Sequence, residues 1–298
     1  MDRLERAYKD DLSGYDSSTA PEELYFPENL GKRMAIDEMS LVKGELYSIL
    51  TNKDTGTLVA LMEGTKASTI TEKIMAHLSA EKRMQVEELT LDMDDGFDWV
   101  ARQCFPNAEH VVDRFHVQKL VTECMQTLRI TERQKILTQR REARKAKIGF
   151  CETSYENGDT PRQLLARSRY LLFKPSSSWT TTQTARAVIL FREFPEMERA
   201  YALCQQLKNL YDKQMTRGVA AVLLRQWCED CDHAGIPEMQ DAAASVLRHE
   251  GRILNFWNNR ATNAFAESFN AKIKRFRGML RGIRDLKFFL FRCQIYFS

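Results

Sequence analysis

Three carboxylates occupy positions where a charge is hard to justify by packing. Asp37 terminates the apolar run Met34-Ala35-Ile36, Asp92 terminates Leu89-Thr90-Leu91, and Glu267 stands in NNRATNAFAESFNAKIKRFR (258–277), a stretch otherwise crowded with lysine and arginine. Two aspartates and a glutamate from separate elements make an oxygen-rich donor set. Such a set suits Mg²⁺ or Mn²⁺, which take hard oxygen ligands and keep water or phosphate in the remaining positions. A pair of these ions about 3.5–4 Å apart can activate a nucleophile and stabilise a leaving oxygen in phosphoryl transfer. For each aspartate a simpler reading stays open, that it caps the turn at the end of its strand.

The acids can meet only if the elements that carry them converge. MAIDEM, GELYSILTN and GTLVALMEG are short, apolar or alternating, and separated by turn residues, which predicts three strands in hairpin succession. TKASTITEKIMAHLSAEKR has apolar residues at 70, 74, 75 and 78 and predicts a helix. VEELTLDM then predicts a fourth strand, GFDWVARQCF a short helix, and AEHVVDRFH a fifth strand that runs into the helical VQKLVTECMQTLRI. A crossover helix makes the fourth strand parallel to the first, so the two can lie side by side and bring Asp37 and Asp92 to one sheet edge.

From about 117 to 255 the periodicity is helical, broken at ENGDTPRQ, FKPSSSWTTTQ, EFPEME and HAGIPEM, and predicts five or six helices. A further helix is expected from Thr262, as N-cap, to about Gly278. It places Phe265, Phe269, Ile273 and Phe276 on one face and Asn263, Glu267, Asn270 and Lys274 on the other. The apolar DLKFFLFRCQIYF predicts a last helix.

Of 298 residues, 43% are hydrophobic and 29% charged. No run approaches the roughly 18 apolar residues of a membrane span, and the charged N-terminus lacks an apolar targeting core. The expectation is a cytoplasmic protein with no membrane partner. Seven scattered cysteines suggest reduced thiols rather than a disulfide framework. The net charge of +3 is unevenly spread, with nine Lys and Arg against two acids over 259–298 and a second basic cluster, RQKILTQRREARKAK, at 133–147. Either run is a solvated helix face or a site for a polyanion. In WCEDCDH, the single C-x-x-C of Cys228 and Cys231 with His233 reads as packed thiols before zinc. Trp179 and Trp257 read as core before stacking platforms for a nucleobase.

AIDEMSLVKGELYSILTN, LTLDMDDGF, NAEHVVDRFHVQKL, SRYLLFK and ATNAFAESFNAKIKRFRGMLRGIRDLKFFLFR resemble, in this order, the motifs of bacterial insertion-sequence DDE transposases with a helical insertion before the catalytic glutamate. The likeness runs from about Met34 to the C-terminus. It implies an α/β fold: a ribonuclease-H-like core with a mixed five-stranded sheet (34–116 and 256–298), interrupted by an all-helical insertion (117–255) and preceded by an extension (1–33). It implies two Mg²⁺ or Mn²⁺ ions held by Asp37, Asp92 and Glu267 as catalytic and metal-binding acids. Asp94 and Asp95 compete for the second position, but the family's acid precedes a methionine, as Asp92 precedes Met93. Asp113 and His116 match a D-x-x-H element and are expected, with Asn263 and Asn270, to support the site.

Lys274, Arg275, Arg277 and Arg281 are expected on DNA phosphates. The implied activity is cleavage of element ends and transfer of their 3′-hydroxyls to target DNA at the nucleoid. An inactive regulatory remnant and a ribonuclease-H-fold nuclease are the alternatives. The implied assembly is a dimer or larger. Family members commonly carry an N-terminal zinc-binding and helix-turn-helix region, whereas about 33 residues without a cysteine precede the first expected strand here, so the expectation is a separate protein that supplies end recognition, with a truncated remnant as the alternative.

Overall fold

β-branched and aliphatic residues punctuated by turn chemistry dominate residues 33 to 63, and they form antiparallel hairpins. The computed structural model describes residues 15–16, 18–42, 45–149, 152–260, 264–280 and 285–297, with the backbone alone at 42 and 264–267. Its elements begin with β1 (Leu24–Tyr25), β2 (Arg33–Val42), β3 (Glu45–Asn52), β4 (Thr57–Glu63), α1 (Ala67–His77), α2 (Ala80–Met84), β5 (Glu88–Leu91), α3 (Asp95–Cys104) and β6 (Glu109–Val112). The turn between β3 and β4 is closed by Asn52, whose side-chain oxygen accepts from the Asp54 amide at 2.8 Å, and by Gly56 at φ 68°.

The sheet is mixed, with six strands in the order β1-β4-β3-β2-β5-β6. β2 pairs antiparallel with β3 and parallel with β5, and β5 pairs parallel with β6. All five expected strands are present. The sixth, β1, pairs Leu24 with Leu61 and Tyr25 with Ala60; two residues are too few to show a periodicity. The helix expected after β4 is two helices. α1 stops at His77, and Ser79 starts α2 by accepting from the Lys82 amide. Its buried stripe is Ile70, Ile74 and Leu78, while Met75, expected in it, is 44% exposed.

Each sheet face carries its own core. On one, Met34, Ile36, Leu50, Leu89 and Leu91 pack with Ile70, Ile74, Phe97 and Val100 from α1 and α3. On the other, Met39, Tyr47, Ile49, Leu58 and Leu61 pack with the C-terminal helices, through Phe269, Ile273, Phe276, Phe289 and Leu290.

The chain divides into two compact units, one of residues 1–113 and 259–298, the other of residues 114–258. The second is helical among its described residues: α4 (Arg114–Lys145), α5 (Pro161–Arg167), α6 (Thr181–Glu193), α7 (Pro195–Asp212), α8 (Arg217–Ala234), α9 (Pro237–Arg248), α10 (Glu250–Leu254) and α11 (Phe256–Asn259), the last ending at the first residue of the other unit. Five of these are long and match the helical periodicity; α5, α10 and α11 are single turns or little more. Local chemistry sets their ends. Thr180 and Gln183 form a capping box on α6, Pro195 and Pro237 open α7 and α9, and Gly235 closes α8 in the left-handed conformation. The chain then forms α12 (Ala264–Met279) and α13 (Leu286–Phe297). Among the described residues no helix is long and apolar enough to cross a membrane.

Candidate active site

The parallel pairing decides where the acids stand. β2 and β5 are in register at Ala35 and Thr90, and β5 and β6 at Leu91 and Val112. Continuing both registers sets Asp37, Asp92 and Asp113 opposite one another at the carboxyl ends of three adjacent strands, each about 4.8 Å from the next. The Asp113 amide donates to the Leu91 carbonyl at 2.9 Å, which carries the pairing to that residue. Asp37 is 8% exposed and Asp113 2%, while Asp92 is half-buried. Because strand side chains alternate, all three lie on the face that also bears Met39 and Tyr47, the face covered by α12.

α12 reaches this row through Asn270, whose Nδ2 donates to Asp37 Oδ2 at 3.0 Å. Three members of the expected packed side, Phe269, Ile273 and Phe276, are buried, while the Phe265 side chain is outside the described residues. Burial of each such side chain stabilises the docking by about 1.5–3 kcal/mol. Glu267 lies one turn before Asn270 on the same side of α12, but its side chain is outside the described residues. Thr262, Asn263 and Arg281 are also outside them. Lys274 and Arg275 are exposed, whereas Arg277 is half-buried with its guanidinium 5.8 Å from the centre of the Phe289 ring. His116 sits in the first turn of α4, in the helical unit.

The neighbouring acids do a different job from Asp92. Asp94 is the N-cap of α3, accepting from the Phe97 amide at 3.0 Å, and Asp95 is exposed in the first turn, where negative charge suits the helix dipole. Asp94→Ala is therefore expected to cost about 1 kcal/mol of stability and to leave DNA cleavage intact. Melting curves beside a cleavage assay check this; activity lost in Asp94→Ala and kept in Asp92→Ala would move the second acid.

Adjacent carboxylates at strand spacing repel unless a cation or proton is shared among them, and an all-oxygen donor set is what a hard divalent ion takes. Among the described residues no three acidic, histidine or cysteine side chains converge tightly enough to hold an ion by themselves.

Sequence reasoning missed a polar network on the same face. Glu88, 4% exposed at the start of β5, accepts from Lys53 Nζ at 2.5 Å and from Asn259 Nδ2, and Lys53 also donates to Thr90 Oγ1 at 2.7 Å. The signal was the polar alternation Glu88-Thr90-Asp92, which reads as a solvated face.

The other candidates are packed. Trp179 donates to the Leu171 carbonyl at 2.8 Å beside Tyr201, and Trp257 is 6% exposed and stacked on Tyr211. Cys228 and Cys231 are buried thiols, Cys228 pushed up to about 12 by burial, while His233 is exposed. The six described cysteines are free.

Residues 34–293 match the ISL3-type DDE transposase family. The chain belongs to this family. Relatives include the transposase for insertion sequence element IS1557 of Mycobacterium tuberculosis, 25% identical over 261 residues, covering 85% of this chain and 57% of that protein. The transposase for insertion sequence element IS1001 of Bordetella parapertussis is 22% identical over 265 residues, covering 89% of this chain and 60% of that protein. The chain therefore spans less than two thirds of the length of these curated relatives. No solved structure matches it. Membership fits the mixed sheet with its helical unit.

Proposed function

We propose that this chain carries the catalytic core of an insertion-sequence transposase that cleaves DNA at element ends and joins the freed 3′-hydroxyls to target DNA. The observation that carries the reading is the row of Asp37 and Asp92 on adjacent parallel strands, tied through Asn270 to the helix that bears Glu267. In this reading residues 1–113 and 259–298 are the ribonuclease-H-like core and residues 114–258 its helical insertion.

Asp37, Asp92 and Glu267 would hold two Mg²⁺ or Mn²⁺ ions. When bound, the ions supply activation of the attacking oxygen and charge stabilisation at the leaving oxygen. The protein's own contribution is placement. The Asn270 amide fixes one Asp37 oxygen, the sheet holds Asp37 and Asp92 at strand spacing, and Asp113 extends the row as a supporting acid with His116 three residues on. The active assembly pairs two ends and is a dimer or larger, acting in the cytoplasm at the nucleoid. A strand-transfer assay on pre-cleaved ends tests the reading: joined product is expected, hydrolysis without joining indicates a nuclease, and binding without either indicates an inactive regulator.

Lys274 and Arg275, exposed on α12 beyond Asn270, would bind phosphates near the cleavage point. Removing each should lower the log–log salt slope of duplex binding by about 0.9. A slope unchanged in the double variant would make them a solvated face. Backbone contacts give affinity without sequence readout, so these residues by themselves should show no strong preference for the element ends, with recognition supplied by a groove-docking module. Gel-shift competition decides it; a preference beyond about a hundredfold, near 2.7 kcal/mol, would sink the expectation.

A further inference from the structure

α4 changes character halfway along its 32 residues. Its first half packs through Val117, Val121, Met125, Leu128 and Arg129, but none of the side chains from 130 to 149 is buried. Residues 131–147 hold seven Lys and Arg against Glu132 and Glu142, and Glu132 already takes Lys135 at 2.6 Å. Arg140, Arg141, Arg144 and Lys145 are exposed, and the three arginines line a cleft of about 500 Å³ with Leu137 and Ile148. The helix dipole favours cations in the last turn, which accounts for Arg144 and Lys145. It does not account for Arg140 and Arg141, which stand one turn earlier and oppose Arg144 and Lys145 at i,i+4, a like-charge spacing that destabilises an isolated helix. The arm stops sharply: Ile148 N donates to the Ala143 carbonyl at 2.9 Å and Lys147 takes φ 57°.

We propose that this arm of the helical unit, residues 133–147, is a second DNA-binding surface, which grips the phosphate backbone of duplex DNA apart from α12. The proposal rests on DNA being the chain's substrate. Charge selects the occupant, because a dense line of phosphates relieves the repulsion along the arm. Arg133 to Arg144 spans about 17 Å, the axial rise of about five phosphates on one strand.

The test measures binding of a duplex of arbitrary sequence over a salt series, with the full chain and its R140Q/R141Q/R144Q/K145Q variant. The log–log slope should fall by about three to four units, near 0.9 for each phosphate no longer neutralised, and by half of that in R140Q/R144Q, with helicity and melting unchanged. Wild-type binding with an unchanged slope in both variants overturns the arm and leaves the catalytic reading standing. Absence of duplex binding by the wild type overturns both. A slope that stays fixed while sedimentation shifts toward monomer assigns the arm to a second copy and overturns the proposal. Cleavage at low salt, where backbone contacts are strongest, should persist in the variants.

Discussion

Asp37→Ala, Asp92→Ala and Glu267→Ala are each expected to abolish metal-dependent cleavage of end-containing duplex, by about a thousandfold or more, which corresponds to about 4 kcal/mol of lost transition-state stabilisation. The size of the effect follows from the proposed sharing: if three carboxylates hold two ions, no remaining pair can hold both. Stability should respond in the opposite way. Asp37 and Asp92 stand in a row of like charges at strand spacing, so removing either relieves repulsion and the melting temperature should hold or rise. Asp37→Ala differs in one respect, since it also strands the Asn270 amide. Cleavage kinetics in Mg²⁺ beside thermal melting check both halves; an Asp92→Ala protein that cleaves normally would remove Asp92 from the site.

Lys53→Ala should be among the most damaging changes to the sheet unit. Lys53 and Glu88 have side chains only 9% and 5% exposed, and the ammonium is held 2.5 Å from the carboxylate. Removing the cation leaves a buried carboxylate beside the neutral amide of Asn259, which costs about 3–5 kcal/mol. Replacing both members by apolar residues, as in K53M/E88L, should cost far less, because no charge is then left without its partner. Denaturant unfolding of the two variants makes the comparison. If Lys53→Ala costs under about 1 kcal/mol, the carboxylate is reached by water and the pair is a surface bridge. Glu88 also accepts from Asn259, where the chain re-enters this unit. A loss in Lys53→Ala should therefore extend to cleavage, through the placement of the following helix α12.

Local periodicity already carried much of this molecule. Alternation and turn residues specify β2 to β6, because a half-buried strand writes its two faces into the order of its side chains. The packed face of α12 was legible for the same reason: Phe269, Ile273 and Phe276 recur at helical spacing and are buried together. A crossover helix made the strands of Asp37 and Asp92 parallel and so allowed them to be neighbours, and the sheet pairs them.

Other features depend on partners distant in sequence, and only the tertiary structure decided them. β1 exists because Leu24 and Tyr25 meet Leu61 and Ala60, and two residues have no period of their own. Asp92 and Asp94 are the same residue type two positions apart. One ends in register with Asp37 while the other caps α3, and that division follows from where the strand stops and the helix amides begin. Arg277 shares its charge with Lys274 and Arg275, yet lies over Phe289 because α13 packs on that side of α12. Glu88 and Lys53, which composition assigns to solvent, are buried as a pair, and Asn259, 171 residues along the chain from Glu88, returns to donate to that carboxylate. A sequence records which face of an element is apolar; which polar residues find partners beneath that face is settled only when the elements meet.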